Sequence, residues 1–361
     1  MSYFLCDEFK DMEPYIPGEQ PRDRAYIKLN ANESSLPPSP KVLEAVSKSS
    51  MLKMGFYSDP HCLKLREAIA EVCGVVPEQV FVGNGADEVL GFCFMSFFSP
   101  RMKLCFPDIT YDFYRTYAKT NRIDFERIPL DENFDIKVED YIRTDRDIVL
   151  ANPNNPTGKV LKVEEIERIV AAKPKRMVIV DEAYIDYGNA SCIPLVAQYP
   201  NLVVVQTFSK SRNLAGARIG FAVSSREIIE DMSKIKFAFN PFNMSEFAIR
   251  AGAAAVLDTK YLEKCVSSVV HTRERTRESL EKMGFRVPKS HTNFLLASHP
   301  AIYAGDLAKR LKEKGVLIRH YDEDRIREFI RVTIGTETEM ASVVDTLKEI
   351  MGELGYEDYH Q

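Results

Sequence analysis

Residues 177–223 read MVIVDEAYIDYGNASCIPLVAQYPNLVVVQTFSKSRNLAGARIGFAV. Three continuous apolar runs stand out in it: Met177–Val180, Leu202–Val205 and Ile219–Val223. Unbroken runs of four or five Val, Ile, Leu and Phe residues fit strands buried on both faces, whereas a half-exposed strand would alternate. Each run ends abruptly in polar residues. Working outward, the same kind of run recurs at Gln79–Val82, Lys103–Phe106 and Ile148–Ala151. Helical patterns lie between them, as at Val163–Ala172, and the stretch CLKLREAIAEVCG from Cys62 has helical periodicity with Gly74 as its stop signal. Strands alternating with helices predict an α/β fold built on a mostly parallel central sheet with helices on both faces. Ligands of such sheets bind beyond the carboxyl ends of the strands, so the residues after each run are where chemistry is expected.

The flanks read differently. The first 40 residues are proline-rich and irregular. Beyond about residue 250 come long charged helices, Tyr261–Met283 and Ala304–Lys314, with apolar segments Asn293–Ala297, Val316–Arg319 and Phe329–Ile334 suited to a small separate sheet. The expected division is a large α/β domain over 40–250 and a smaller α+β domain made of 1–39 together with 251–361. The 361 residues are 45% hydrophobic and 28% charged, an ordinary globular composition. The net charge of -5 argues against broad attraction to nucleic acid or anionic membrane, so any anionic ligand needs local groups. Seven scattered cysteines without a CxxC pair read as reduced thiols rather than a disulfide framework or a metal site. An acidic start without an apolar run, and no long apolar stretch elsewhere, lead us to expect a soluble, cytoplasmic protein.

Four polar strings follow the runs. GNGADE at 83–88 allows a tight turn into a helix whose N-terminus suits a phosphate, although an ordinary βα turn reads equally well. NPNNPTG at 152–158 is a rigid turn whose amides have donors to offer. DEAY at 181–184 brings Asp181 to a strand end, where a carboxylate needs a partner. Lys210 sits in the polar stretch before Arg218, and a dry cleft beside a cation would lower its pKa and free its amine for Schiff-base chemistry. A lone lysine is more often a solvated surface charge. Together, however, these groups are the chemical types that a pyridoxal phosphate site requires.

The strings NPNNPTG, DEAY and SKSRNLAGARIGF, in that order, resemble the fold-type I aminotransferases of class I and II. PYIPG at 14–18, LNANES at 29–34, Tyr57-Ser58-Asp59, GVLIRHY at 315–321 and FIRVTIGT at 329–336 resemble, within that family, its histidinol-phosphate aminotransferase branch. The resemblance implies pyridoxal 5'-phosphate as cofactor. It implies that Lys210 forms the covalent link and shuttles the proton, and that Asp181 pairs with the pyridine nitrogen. Asn155 and Tyr184 would bind the ring hydroxyl oxygen and Tyr111 would stack on the ring. The N–H groups of Ala86 and Asp87, with Thr207, Ser209 and Arg218, would hold the cofactor phosphate. Tyr57 matches a tyrosine that reaches the neighbouring subunit's cofactor phosphate, implying a homodimer with shared active sites. Ser34-Ser35 and Ser58 stand where the family often has Asn-Pro and Pro, in loops near the substrate mouth.

The same resemblance implies the substrates. Arg331 matches the family's carboxylate-binding arginine and would here take a substrate phosphate, with Arg319 as a second fork. Tyr15 would reach the same phosphate and Asn32 would line the pocket. A surface salt bridge to one of Asp322 to Asp324 is the bland alternative for Arg319. The implied reaction is a ping-pong transfer between L-histidinol phosphate and 2-oxoglutarate, giving imidazole acetol phosphate and glutamate in histidine biosynthesis. A threonine-phosphate decarboxylase-like lyase and a broad aromatic aminotransferase are rival readings on the same fold. A regulator built on this fold is a third, disfavoured by the lack of a helix-turn-helix pattern.

Overall fold

In the computed structural model, residues 3–10, 12, 15–47, 55–188 and 190–356 are described. Pro14 of the PYIPG string lies outside them. The central sheet has seven strands: β2 (Val80–Gly83), β3 (Lys103–Pro107), β4 (Asp124–Ile128), β5 (Asp147–Ala151), β6 (Val178–Asp181), β7 (Leu202–Thr207) and β8 (Gly220–Val223). Their order is β2-β8-β7-β6-β5-β3-β4, and only β8 runs against its neighbours. A mostly parallel sheet with helices on both faces is what the continuous apolar runs predict.

Both faces are dry because alternate residues serve different helical layers. On one face Val80, Val82, Ile148, Leu150, Val178, Val180 and Val204 pack with helices Leu63–Cys73, Val163–Ala171 and Glu246–Val256. On the other, Phe81, Phe106, Val149, Ile179, Val203 and Val205 pack with helices Ala86–Phe97, Phe113–Thr120 and Arg226–Phe239. Each fully buried Val, Ile, Leu or Phe here contributes about 1.5–3 kcal/mol relative to leaving it in water.

The edge strand β4, DFERI, escapes the apolar-run criterion. Its Asp124, Glu126 and Arg127 are exposed, and charged side chains at an edge deter pairing with another chain. Arg146 bridges Asp124 and Glu126 at 2.9 and 2.8 Å.

A second core gathers around β9 (Phe294–Ala297), β11 (Arg319–His320) and β12 (Ile330–Thr333), an antiparallel sheet of order β11-β12-β9. The expected strand at Val316–Arg319 divides in two. Its first half, β10 (Val316–Leu317), pairs in parallel with β1 (Ile27–Lys28), and its second half is β11. Leu29 donates its N–H to Leu317 and accepts from Thr333, so the N-terminal segment is sewn between C-terminal strands. No helix of the described residues is long and apolar enough to cross a membrane. Among the described residues no group of His, Cys, Asp and Glu side chains is placed to hold a metal ion.

Candidate active site

The carboxyl ends of β5, β6 and β7 open on one cavity of about 310 Å³. Strand β6 ends on Asp181, which is buried and lines this cavity. Tyr114 donates to its Oδ2 at 2.7 Å and the Ala183 N–H to its Oδ1 at 3.1 Å. Burial nevertheless outweighs both donors and pushes the Asp181 carboxyl up to about 6. Lys210, beyond β7, reaches the same cavity, and its Nζ donates to the Ala31 carbonyl at 3.3 Å. Its ammonium also lies 5.7 Å from the Tyr184 ring centroid. Burial lowers the Lys210 pKa to about 8, with Arg331 the next cause. Arg218, the neighbour expected from the sequence, contributes less. Strand β12 brings Arg331 in from a distant part of the chain, which no local spacing reveals.

The GNGADE turn closes one end. Gly85 has φ +90°, and the Ala86–Phe97 helix starts immediately after it. A Cβ on Gly85 would lie 2.5 Å from Arg218 Nη2, so the turn leaves just enough room for that guanidinium. The first N–H groups of the helix lack partners within it, and with Arg218 they form an anion cradle. Thr207 and Ser209 stand beside it, joined hydroxyl to hydroxyl at 3.0 Å. The Asp87 carboxylate sits between Arg218 at 3.0 Å and the Tyr111 hydroxyl at 2.8 Å.

The NPNNPTG turn supplies Asn155. Its Oδ1 accepts from Arg331 Nη1 at 2.7 Å, and Arg331 Nη2 donates to the Asn30 carbonyl at 3.1 Å. Arg331 Nε is buried with no partner among the described residues. A second cavity of about 490 Å³ adjoins the first, sharing Tyr111 and Asn155 as walls. Tyr15, Arg319, Tyr321 and Arg331 line it. Both guanidiniums lie over the Tyr321 ring, at 5.5 and 5.6 Å. Arg319 donates to the Ile16 carbonyl at 3.2 Å. The acids proposed as its bland partners go elsewhere: Asp322 and Asp324 face Arg327, and Glu323 faces Arg127.

The structure thus gathers Ala86, Asp87, Tyr111, Asn155, Asp181, Tyr184, Thr207, Ser209, Lys210 and Arg218 around one cavity. It gathers Tyr15, Arg319 and Arg331 around its neighbour. Two expected residues stand apart. Asn32 lines neither cavity; its Nδ2 donates instead to the Tyr184 hydroxyl at 2.8 Å. Tyr57 is 83% exposed, stacked on Phe242 at 4.5 Å, outside both cavities. Sequence reasoning missed Tyr114, the second residue of the helix Phe113–Thr120, which reads as an ordinary core-facing aromatic. It also missed Tyr321, the last residue of GVLIRHY, and the Ala31 carbonyl.

The donor set fits pyridoxal phosphate: an amine, a strand-end carboxylate, two hydroxyl-oxygen ligands and an anion cradle kept clear by Gly85. The family pattern described as "Aminotransferase class I and II" matches residues 24–347. The histidinol-phosphate aminotransferase of Clostridium acetobutylicum is 44% identical over 97% of this chain and 99% of its own. That of Marinomonas sp. is 44% identical over 97% and 100%. Among solved structures, histidinol-phosphate aminotransferase from Sinorhizobium meliloti in complex with pyridoxal-5'-phosphate superposes with a TM-score of 0.90 at 24% identity, covering 98% of this chain and 99% of that one. Aspartate aminotransferase from Thermotoga maritima gives 0.79 at 24%, covering 91% and 92%. Matched by the family pattern over most of its length, and folded as those structures are, the chain belongs to the class I and II aminotransferases.

Proposed function

We propose that the chain moves an amino group between L-histidinol phosphate and 2-oxoglutarate, with pyridoxal 5'-phosphate as cofactor, in histidine biosynthesis in the cytoplasm. The observation that carries the substrate reading is the pair Arg319 and Arg331 on one cavity that opens beside the cofactor-sized one. Two planar forks over one aromatic ring suit a substrate phosphate, and they also suit the distal carboxylate of the second substrate. The relatives named above support the same assignment.

When bound, the cofactor supplies an electron sink next to the substrate's amine-bearing carbon. The protein's own groups do the rest. Lys210 Nζ, with its pKa lowered to about 8, takes the proton from that carbon and returns it. Asp181 holds the ring nitrogen's charge, and Tyr114 and the Ala183 N–H hold Asp181. Asn155 and Tyr184 would hold the ring oxygen, and Tyr111 would stack on the ring. Ala86, Asp87, Thr207, Ser209 and Arg218 take the cofactor phosphate. Arg331, Arg319 and Tyr15 orient the substrate phosphate, with Arg331 hydrogen-bonded to Asn155 at 2.7 Å. Exposed Tyr57 reaches the neighbouring subunit's phosphate cradle in a homodimer, and the large and small domains meet along this cleft.

The test is a single half-reaction. Holoenzyme mixed with histidinol phosphate should lose its visible absorption band and release imidazole acetol phosphate. Carbon dioxide from threonine phosphate without that bleaching, or faster bleaching by tyrosine or phenylalanine, would replace this reading by one of its rivals.

A further inference from the structure

Strand β12 carries two residues, Arg331 and Thr333, on one face of its pleat. The first contacts Asn155 directly. The second reaches Tyr184 through one intermediary. We infer that Thr333 and Asn32 are positioning residues that set the direction of the Tyr184 hydroxyl proton. This rests on the placement of Tyr184 at the cofactor's ring oxygen.

The Asn32 backbone N–H donates to Thr333 Oγ1 at 3.0 Å. The threonine proton is then donated to Asn32 Oδ1 at 3.1 Å. With its oxygen engaged, the amide presents Nδ2 to Tyr184 Oη at 2.8 Å. An amide nitrogen only donates, so Tyr184 is the acceptor in this contact and its single proton points elsewhere. Burial pushes the Tyr184 phenol well up, so the proton is retained. Among the described residues no side chain or carbonyl accepts it, and Tyr184 lines the cofactor-sized cavity. An anionic ring oxygen in that cavity is the acceptor the geometry offers.

The opposite amide orientation has the opposite consequence. Asn32 Oδ1 would take the tyrosine proton, and the cavity would lose its donor. Thr333 breaks the tie, because its hydroxyl proton has a use in only one of the two arrangements. Asn32 is itself rigidly held, being buried with φ +53°, and its carbonyl accepts from Asn293 Nδ2 at 3.1 Å. Thr333 is buried too, its N–H donating to the Leu29 carbonyl at 3.0 Å.

The experiment is a pH titration of the visible absorption band of the holoenzyme. A donor to the ring oxygen stabilises negative charge there and lowers the pH at which the neighbouring proton is lost, so removing the donor raises the midpoint. Tyr184→Phe should raise it by roughly half a pH unit or more. Thr333→Val, which keeps the shape and removes the hydroxyl, should raise it similarly. The double variant should move no further than Tyr184→Phe alone, because both changes break one path. Thr333→Ser should restore the wild-type midpoint. A wild-type midpoint in Thr333→Val beside a shifted Tyr184→Phe overturns the inference. An unshifted Tyr184→Phe instead overturns the placement of Tyr184 on which it rests. Where Thr333→Val does not fold, Asn32→Asp gives the reading, since it presents only acceptors to Tyr184. It should raise the midpoint, and an unchanged value overturns the inference.

Discussion

Asp181 is fully inside the protein and must still carry charge. Burial raises its pKa to about 6 against an ordinary 3.8, outweighing the Tyr114 and Ala183 donors and the Lys210 charge. The folded apoprotein therefore holds more protons than the unfolded chain between about pH 4 and pH 6, and its stability falls as pH rises through that window. Apoprotein carrying Asp181→Asn should show a flatter stability profile there in urea titrations, and the same variant supplied with cofactor should show no transamination. Tyr114 is the strongest neutral support of the charged form. Tyr114→Phe should weaken cofactor binding by about 1–2 kcal/mol, about fivefold to thirtyfold, in equilibrium dialysis, with the fold retained. Asp181 and Lys210 are legible in the sequence because each closely follows an apolar run. Tyr114 is not, because it looks like any aromatic on a helix facing a core. Nor is Arg331 as the cation that most lowers the Lys210 pKa, since only the tertiary fold brings β12 there.

Among elements, the buried strands announce themselves and the exposed or divided ones do not. β5, β6 and β7 are apolar on both faces, so composition alone locates them to within a residue or two. β4 carries charges outward at the sheet's edge, and the Val316–Arg319 run splits because its halves bond to different strands. The helices at Val163–Ala171, Thr259–Lys282 and Ala304–Glu313 match their periodicity, each ending within two residues of the expected bounds. The segment after β6 is fastened by Glu182, which is buried and accepts from Ser191 Oγ at 2.6 Å, the Cys192 N–H at 2.6 Å and Gln206 Nε2 at 2.8 Å. Glu182→Ala orphans three donors at once and should cost about 1–3 kcal/mol or more in urea unfolding. Glu182→Gln, which keeps one acceptor, should cost less. Burial pushes the Glu182 carboxyl up to about 7, so this knot also favours the folded apoprotein less as pH rises from about 4.5 to 7.

At the scale of the molecule, the net charge of -5 coexists with the two phosphate sites proposed above. Bulk balance could only exclude a broad anionic partner; the local cations come from segments far apart in the chain. The shared-site reading makes a prediction that only an assembly can show. Lys210→Ala and Tyr57→Ala subunits, each expected to be inactive or weak alone, should regain about a quarter of wild-type activity when co-refolded at random, because half the dimers then contain one complete site. No recovery on mixing would place Tyr57 at its own subunit's site or at none. The pairing of β1 with β10 carries one more consequence, for the order in which the chain emerges from the ribosome. Ala31 and Asn32, which contact Lys210 and Tyr184, are made long before β10, the strand that anchors them. The sheet can close early, but the pocket wall in front of Lys210 waits for β10, so a nascent chain stalled before residue 316 would have a closed central sheet and an unanchored wall to its cofactor pocket.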